Sequence, residues 1–327
     1  MKVVIPGGSG QIGALLARHY HSRGDQVVVL SRFPKKSSWC TVIWDPASDG
    51  PWREEFDGAD VVINLAGRSV NCRYHAQNRL EILHSRVATT EAVGRAIATS
   101  ARPPRVWLQA STATIYPHTL GAANNESTDL ARRSSQAGPA AWTFSQRVAR
   151  DWENAALQAE TPRTRIVLMR SAMTMSPDPG GVFDVLLRLV RWRLGGWQGG
   201  GRQFVSWIHD VDFVRAVDWL VENDALAGPV NLTSPTPLPN REFMRALRQA
   251  WGARIGMPAS RPMVELGALL LRTESELILK SRRVVPTRLI QSGFTFQFPQ
   301  WAAAAQDLCR RFRERAGQLV SSSAFAI

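Results

Sequence analysis

Cysteine is scarce: Cys40, Cys72 and Cys309 are the only three in 327 residues, far apart and without a C-x-x-C pair. That spacing excludes a finger-type zinc cluster and a disulfide framework, and it fits a reducing compartment. No metal site is expected. There is also no apolar run of the roughly 18–20 residues that a membrane span requires. The opening Met1-Lys2-Val3-Val4-Ile5-Pro6-Gly7-Gly8 lacks a signal-peptide pattern. These absences predict a soluble cytoplasmic protein with no membrane partner. Lysine is nearly missing too, at four of 40 basic residues against 36 arginines, within a net charge of +13. The arginines are scattered in short clusters such as Arg132-Arg133, Arg282-Arg283 and Arg310-Arg311. Without a single basic stripe, nucleic acid is an improbable main partner, while attraction to small anionic ligands remains.

What is present points to a packed fold. At 44% hydrophobic and 20% charged, the chain is of the ordinary globular class and long enough for one large core with a smaller lobe. Short β-rich runs alternate with helical stretches over the first half, the pattern of an open parallel sheet. Strands are predicted over residues 3–5, 26–30, 41–44, 60–64, 105–110 and 165–169, with helices over 11–22, 79–100 and 142–158. Beyond residue 171 paired glycines break the chain, and helices are predicted over 182–194, 211–222, 240–251, 262–271 and 301–315. From 318 on, with Ser321-Ser322-Ser323, the chain reads as a frayed tail.

Gly7-Gly8-Ser9-Gly10-Gln11-Ile12-Gly13 follows the first strand and opens an amphipathic helix. Gly7 permits a sharp turn, Gly10 lets backbone N–H groups approach a pyrophosphate, and Gly13 allows close helix–strand packing. The helix N-terminus at Gln11 and Ile12 adds partial positive charge. The strand–turn–helix context separates this segment from an ordinary glycine-rich turn. The second strand ends Val29-Leu30-Ser31-Arg32, where an NAD-binding chain usually carries an Asp or Glu for the ribose hydroxyls. None is there. Ser31 and Arg32 suit a 2′-phosphate, with Lys35 and Lys36 as helpers, so NADP(H) is the expected cofactor; a solvated surface arginine is the alternative. Asp45 stands where it would meet the adenine edge or simply begin the Asp45-Pro46 turn.

With Asn64-Leu65-Ala66-Gly67 after the fourth strand, the chain resembles an extended short-chain dehydrogenase/reductase. Gly200-Gly201-Arg202-Gln203-Phe204-Val205-Ser206-Trp207-Ile208-His209 is similar to a stretch of the atypical, epimerase-like (YfcH-like) branch. So are Trp44-Asp45-Pro46, Arg150-Asp151-Trp152-Glu153, Gly228-Pro229-Val230-Asn231, Arg283-Val284-Val285-Pro286 and Ser292-Gly293-Phe294-Thr295-Phe296. The likeness covers about residues 1–312. It implies a Rossmann domain with a C-terminal substrate lobe, and cofactor contacts at Leu65, Ala66 and Gly67. The branch's name records a likeness to sugar-nucleotide epimerases, not an established reaction.

The usual site of the wider family needs a Tyr as acid/base and a Lys four residues later. Tyr20, Tyr74 and Tyr116 are followed at that spacing by Gly24, Asn78 and Leu120. Aligning Glu153 with the family's Glu puts Ser145 and Ala149 at the pair's positions, and neither can do the work; the branch lacks the pair as a whole. Ser111, with Thr112 beside it, stands where the family's Ser commonly bonds a substrate oxygen, or caps the strand end. Tyr116 is a replacement acid or a core tyrosine. His209 has a side chain suited to proton transfer, yet related Trp-Ile-His runs use it to cap a helix. Arg170 and Arg202 are candidate anchors for an anionic substrate, or surface and ion-pair residues.

These readings converge on an α/β fold: a doubly wound parallel Rossmann sheet with a smaller C-terminal mixed substrate lobe. The expected NADP-binding domain is 1–170, completed by about 210–232, with a lobe of 171–209 and 233–317 and a tail of 318–327. The expected function is NADP(H)-dependent oxidoreduction, or epimerase-like chemistry, on an unidentified small polar substrate. The alternative is a non-catalytic NADP-binding redox sensor or scaffold.

Overall fold

The computed structural model describes residues 1–33, 36–131, 139–270 and 272–324, the last seven by backbone alone. Lys35, Arg132, Arg133 and Leu271 lie outside the described residues. In the first half the chain runs β1 (Lys2–Pro6), α1 (Gln11–Ser22), β2 (Gln26–Ser31), β3 (Cys40–Ile43), β4 (Val61–Asn64), α2 (Ala76–Thr99), β5 (Val106–Thr112), α3 (Ala140–Leu157) and β6 (Arg165–Ser171). The second half adds β7 (Met173–Met175), α4 (Val182–Arg191), β8 (Phe204–Val205), β9 (Trp207–His209), α5 (Asp210–Glu222), β10 (Gly228–Leu232) and β11 (Leu238–Pro239). It closes with α6 (Asn240–Trp251), α7 (Arg261–Leu270), α8 (Glu276–Leu279), α9 (Thr287–Gln291) and α10 (Trp301–Ala324).

Seven strands form one parallel sheet in the order β3-β2-β1-β4-β5-β6-β10. The order in which successive strands join the sheet reverses between β1 and β4, so a crevice opens there beyond the carboxyl ends, where dinucleotides bind doubly wound sheets. Alternation explains the two layers. Val3, Ile5, Val27, Val29, Val61 and Ile63 pack against Leu16 and Tyr20 of α1 and Phe213 and Val217 of α5. Val4, Val28, Leu30 and Val62 face the other way, onto Ala92, Val93 and Ile97 of α2. Strands covered on both sides read as near-continuous apolar runs, which is what Val27-Val28-Val29-Leu30 is.

A third core holds the remainder together. Met175, Phe183, Leu187, Trp207, Phe243, Met244, Trp301 and Leu308 are all buried in it, with the Phe243 and Trp301 rings stacked at 4.1 Å. Two small sheets, β7 with β9 and β8 with β11, stand apart from the large one. Strands of two or three residues carry no periodicity, so the sequence does not announce them. The last helix differs from expectation: it runs to Ala324, through the segment read as a tail from 318. Nothing from Gln318 to Ala324 is a Pro or Gly, so no residue there forces the helix to stop. Residues 325–327 lie outside the described ones. Among the described residues no helix is long and apolar enough to cross a membrane.

Candidate cofactor and substrate site

The glycine turn is built from close approach. Gly7 has φ +75°, and a Cβ there would lie 2.6 Å from Ala66 Cα. A Cβ on Gly13 would meet Gly8 Cα at 2.3 Å, so α1 packs directly on the turn. Gly10 is different: its nearest neighbour would be Gly7 O at 3.9 Å, leaving the space before the helix open. No side chain caps α1 at Gly10. Uncapped helix-terminal N–H groups beside an open space make an anion cradle.

Ser31 and Arg32 sit at the carboxyl end of β2. The buried Ser31 hydroxyl donates to Ser9 Oγ at 3.0 Å and accepts from Phe33 N, tying the strand end to the glycine turn. Arg32 is exposed, with its guanidinium 5.8 Å from the Phe33 ring centroid. Asp45 is exposed and its carboxylate accepts Ala47 N at 3.0 Å, which closes the local turn. After β4, Leu65 N donates to Pro6 O and Ala66 N to Asn64 Oδ1, so this segment lies against β1 and the turn. Gly67 backs onto the Arg86 side chain. One neighbour had no sequence signal: Gln11 Nε2 donates to Asp178 O at 3.0 Å, and a Cβ on Gly181 would collide with the Gln11 amide. The loop after β7 therefore crosses the start of α1.

The polar residues picked out for chemistry or substrate are mostly engaged with each other. Arg170, 5% exposed, grips Glu153 with Nε to Oε1 at 2.8 Å and an Nη to Oε2 at 2.7 Å. Burial works against the charge on that guanidinium, but Glu153 and Tyr116 more than offset it and raise its pKa above the ordinary value. Its second Nη donates to the Tyr116 hydroxyl at 3.0 Å, and that hydroxyl donates to Asn231 Oδ1 at 2.8 Å. Ser111 donates to Glu153 Oε1 at 2.5 Å. Arg170 is thus placed as the partner of a buried carboxylate rather than as a free substrate anchor. Tyr116 is 1% exposed and Ser111 6% exposed, and both hydroxyls serve the same network. Thr112, half-buried, accepts Thr114 N at 3.1 Å and caps the turn of residues 113–115. Arg202 is exposed.

His209 is fully buried. Its Nδ1 accepts Val211 N at 3.1 Å, its Nε2 meets Asp307 at 3.1 Å, and its ring stacks on Phe298. Asp210 pairs twice with Arg311, and Asp212 accepts Gln297 N and Phe298 N. This run pins α5 to α10 and to residues 297–298. Because Nδ1 accepts, the imidazole is neutral with its proton on Nε2. Burial lowers its pKa below the ordinary 6.5. A base whose folded pKa is depressed binds its proton more readily when unfolded, so stability falls as pH drops through the unfolded value. Melting temperature is therefore expected to decline between about pH 7.5 and about pH 5.5, and to be flatter there in His209→Gln. An equal slope in both proteins counts against the assignment.

Comparison with known proteins places the whole arrangement. The NAD dependent epimerase/dehydratase family model matches residues 3–232, more than half of the chain. The chain belongs to that family. Residues 261–308 match a second model, described as a domain of unknown function (DUF1731). The bovine epimerase family protein SDR39U1 is 30% identical over 312 residues, 94% of this chain and 99% of its own. The crystal structure of human epimerase family protein SDR39U1 (isoform 2) with NADPH superposes with a TM-score of 0.81 at 28% identity, covering 95% of this chain and 99% of that one. A nucleoside-diphosphate sugar epimerase from Corynebacterium glutamicum gives 0.72 at 26% identity, over 95% of this chain and 58% of that one. This member of the epimerase/dehydratase family has the Rossmann-like sheet of its relatives and the small added sheets beyond it.

Proposed function

We propose that this chain binds NADP(H) in the crevice at the β1–β4 switch point and moves hydride to or from a small polar, anionic substrate. The observation that carries the reading is the pairing of an open, uncapped glycine cradle with an exposed Arg32 and no acidic residue at the end of β2. Backbone amides of Gly10, Gln11, Ile12 and Gly13 would hold the pyrophosphate, with Gly7 and Gly67 allowing the approach. Arg32 would take the 2′-phosphate, with the Ser31 hydroxyl holding the strand end in place. Leu65 and Ala66 would flank the dinucleotide, and Asp45 would lie near the adenine. NADP(H) supplies hydride chemistry when bound; the chain supplies binding and orientation. NADPH in the human relative's crystal supports this choice, and the Corynebacterium relative supports a nucleotide-sugar-like substrate class. The region from 171 on, less the strand and helix of 210–232, would form the substrate lobe.

A second reading has one observation in its favour. Ser145 and Ala149 stand on α3 where the wider family carries its Tyr and Lys, which suits a cofactor-binding sensor without turnover. Fluorescence titration tests the shared premise. One charge-assisted contact is worth roughly 1.5–3 kcal/mol, so NADPH should bind about tenfold to a hundredfold tighter than NADH. Arg32→Ala should abolish most of that preference while leaving NADH affinity nearly unchanged. Equal affinity of the wild type for both cofactors, or for neither, sinks the reading.

A further inference from the structure

A second polar cluster lies beside the candidate site and is used by nothing described so far. Ser145, on the first turns of α3, is partly exposed, and its hydroxyl donates to Glu276 Oε2 at 2.5 Å. The neighbouring Gln146 donates to Tyr116 O, so this end of α3 is seated on the turn that follows β5, at the carboxyl edge of the sheet. Glu276 itself is 2% exposed, and its Oε1 is buried with no hydrogen-bond partner. Lys280, also 2% exposed, stands 3.8 Å from that oxygen and donates to Thr114 O at 2.8 Å, two residues past Thr112.

A purely structural ion pair in a dry interior needs its lone pairs saturated, because desolvation is otherwise uncompensated. This one keeps an acceptor unmatched, and its other oxygen accepts from the partly exposed Ser145 hydroxyl. The charged and titratable groups around it are Arg282, 4.0 Å from Glu276 Oε1, Arg150 on α3, His118 in the loop after β5, and Tyr74 ahead of α2 with Arg86 nearby. Burial pushes the Tyr74 phenol up to about 12, with the Glu276 carboxylate adding to it, so Tyr74 stays protonated at neutral pH. Burial, with Arg282 nearby, pulls the Lys280 ammonium down to about 7. The titrating member of the cluster near neutrality is therefore Lys280.

We propose that Ser145, which cannot replace the Tyr by itself, forms with Glu276 and Lys280 the proton relay of this site, Ser145 touching the substrate oxygen and the other two acting through it. The inference rests on the NADP(H) reading above. In the oxidising direction the substrate O–H proton passes to Ser145 Oγ as the Ser145 proton passes to Glu276 Oε2. The substrate C–H bond breaks with its electron pair going, as hydride, to the oxidised nicotinamide, and a C=O bond forms. The proton then leaves Glu276 for the Lys280 amine as the carboxyl turns and the 3.8 Å gap between Oε1 and Nζ closes, leaving carboxylate and ammonium. Reduction reverses each transfer.

The experiment follows NADPH consumption with a panel of small polar carbonyl compounds, keto acids and nucleotide-linked keto sugars among them, alongside NADPH titration of each variant. Ser145→Ala takes the hydroxyl that donates to the buried Glu276 carboxylate, so it should lose some thermal stability while still binding NADPH as the wild type does, and turn over about a hundredfold more slowly. Ser145→Thr should recover most of the rate. The wild-type reduction rate should fall as pH rises through about 7, and Lys280→Arg should lose that limb. Nitrogen NMR of lysine-labelled protein, where only four lysines contribute, reads the Lys280 titration without any turnover. The relay is overturned by a Ser145→Ala rate within about threefold of wild type, by an ordinary high Lys280 pKa, or by NADPH binding with no carbonyl reduced. Failure to bind NADPH at all defeats the cofactor reading instead.

Discussion

Glu153→Ala is expected to cost about 3–5 kcal/mol of stability, because it strands the Arg170 guanidinium in the interior. The substitution removes both carboxylate oxygens that accept from Arg170, together with the acceptor of the Ser111 hydroxyl. Arg170 would keep only the Tyr116 hydroxyl, in a setting where it is 5% exposed. For a chain of this size the loss corresponds to a fall in melting temperature on the order of 5–15 °C. The paired change Glu153→Leu with Arg170→Met should recover much of it, since neither charge is then left without its partner. Thermal and urea denaturation of the single and double variants measure this. A loss below about 1 kcal/mol for Glu153→Ala would mean that water reaches the pair.

Gly13→Ala should abolish cofactor binding and destabilise the amino-terminal unit together. A methyl group there falls 2.3 Å from Gly8 Cα and 2.5 Å from Gly8 C and O, all backbone atoms that cannot rotate aside. The start of α1 must move off the turn, at a cost of about 1–3 kcal/mol for overpacking. The amides it presents then lose their geometry, and NADPH affinity should drop by about a hundredfold or more, or roughly 2.7 kcal/mol. Gly10→Ala is the informative contrast. Its methyl meets only Gly7 O at 3.9 Å, so stability should change by about 0.5 kcal/mol or less while binding still suffers. Wild-type affinity in Gly10→Ala would show that the space before α1 is not where the dinucleotide's phosphates sit.

Much of the architecture was legible in advance because it is encoded locally. Strands β1, β2 and β4 and helix α1 announce themselves through apolar runs and a helical period within a few residues, and the structure places them where that period says. The glycine turn is legible for the same reason: one heptad contains the turn, the close approach and the helix start. Boundaries moved by a few residues where a strand end is set by its neighbour's hydrogen bonds, as at β5, which runs to Thr112 alongside Ser171 of β6.

Side-chain roles divide differently. Arg170 reads in the sequence as a substrate anchor or an ion-pair residue, and only the docking of α3 on β6 decides between them by handing it Glu153. His209 reads in the sequence as a helix cap or a proton carrier; the structure makes it the cap of α5, and α10 brings Asp307 to its Nε2 across 98 residues, a partner no local pattern names. Ser145 and Glu276 are 131 residues apart, and no pattern in either segment names the other. Chain order alone dictated where the backbone turns and which way each strand presents its apolar atoms, since those depend on neighbours within one helical turn or one pleat. Which polar atoms meet, and therefore which charges are neutralised and which left available, was settled by packing between distant segments, because electrostatics and desolvation act through space and take no account of sequence separation.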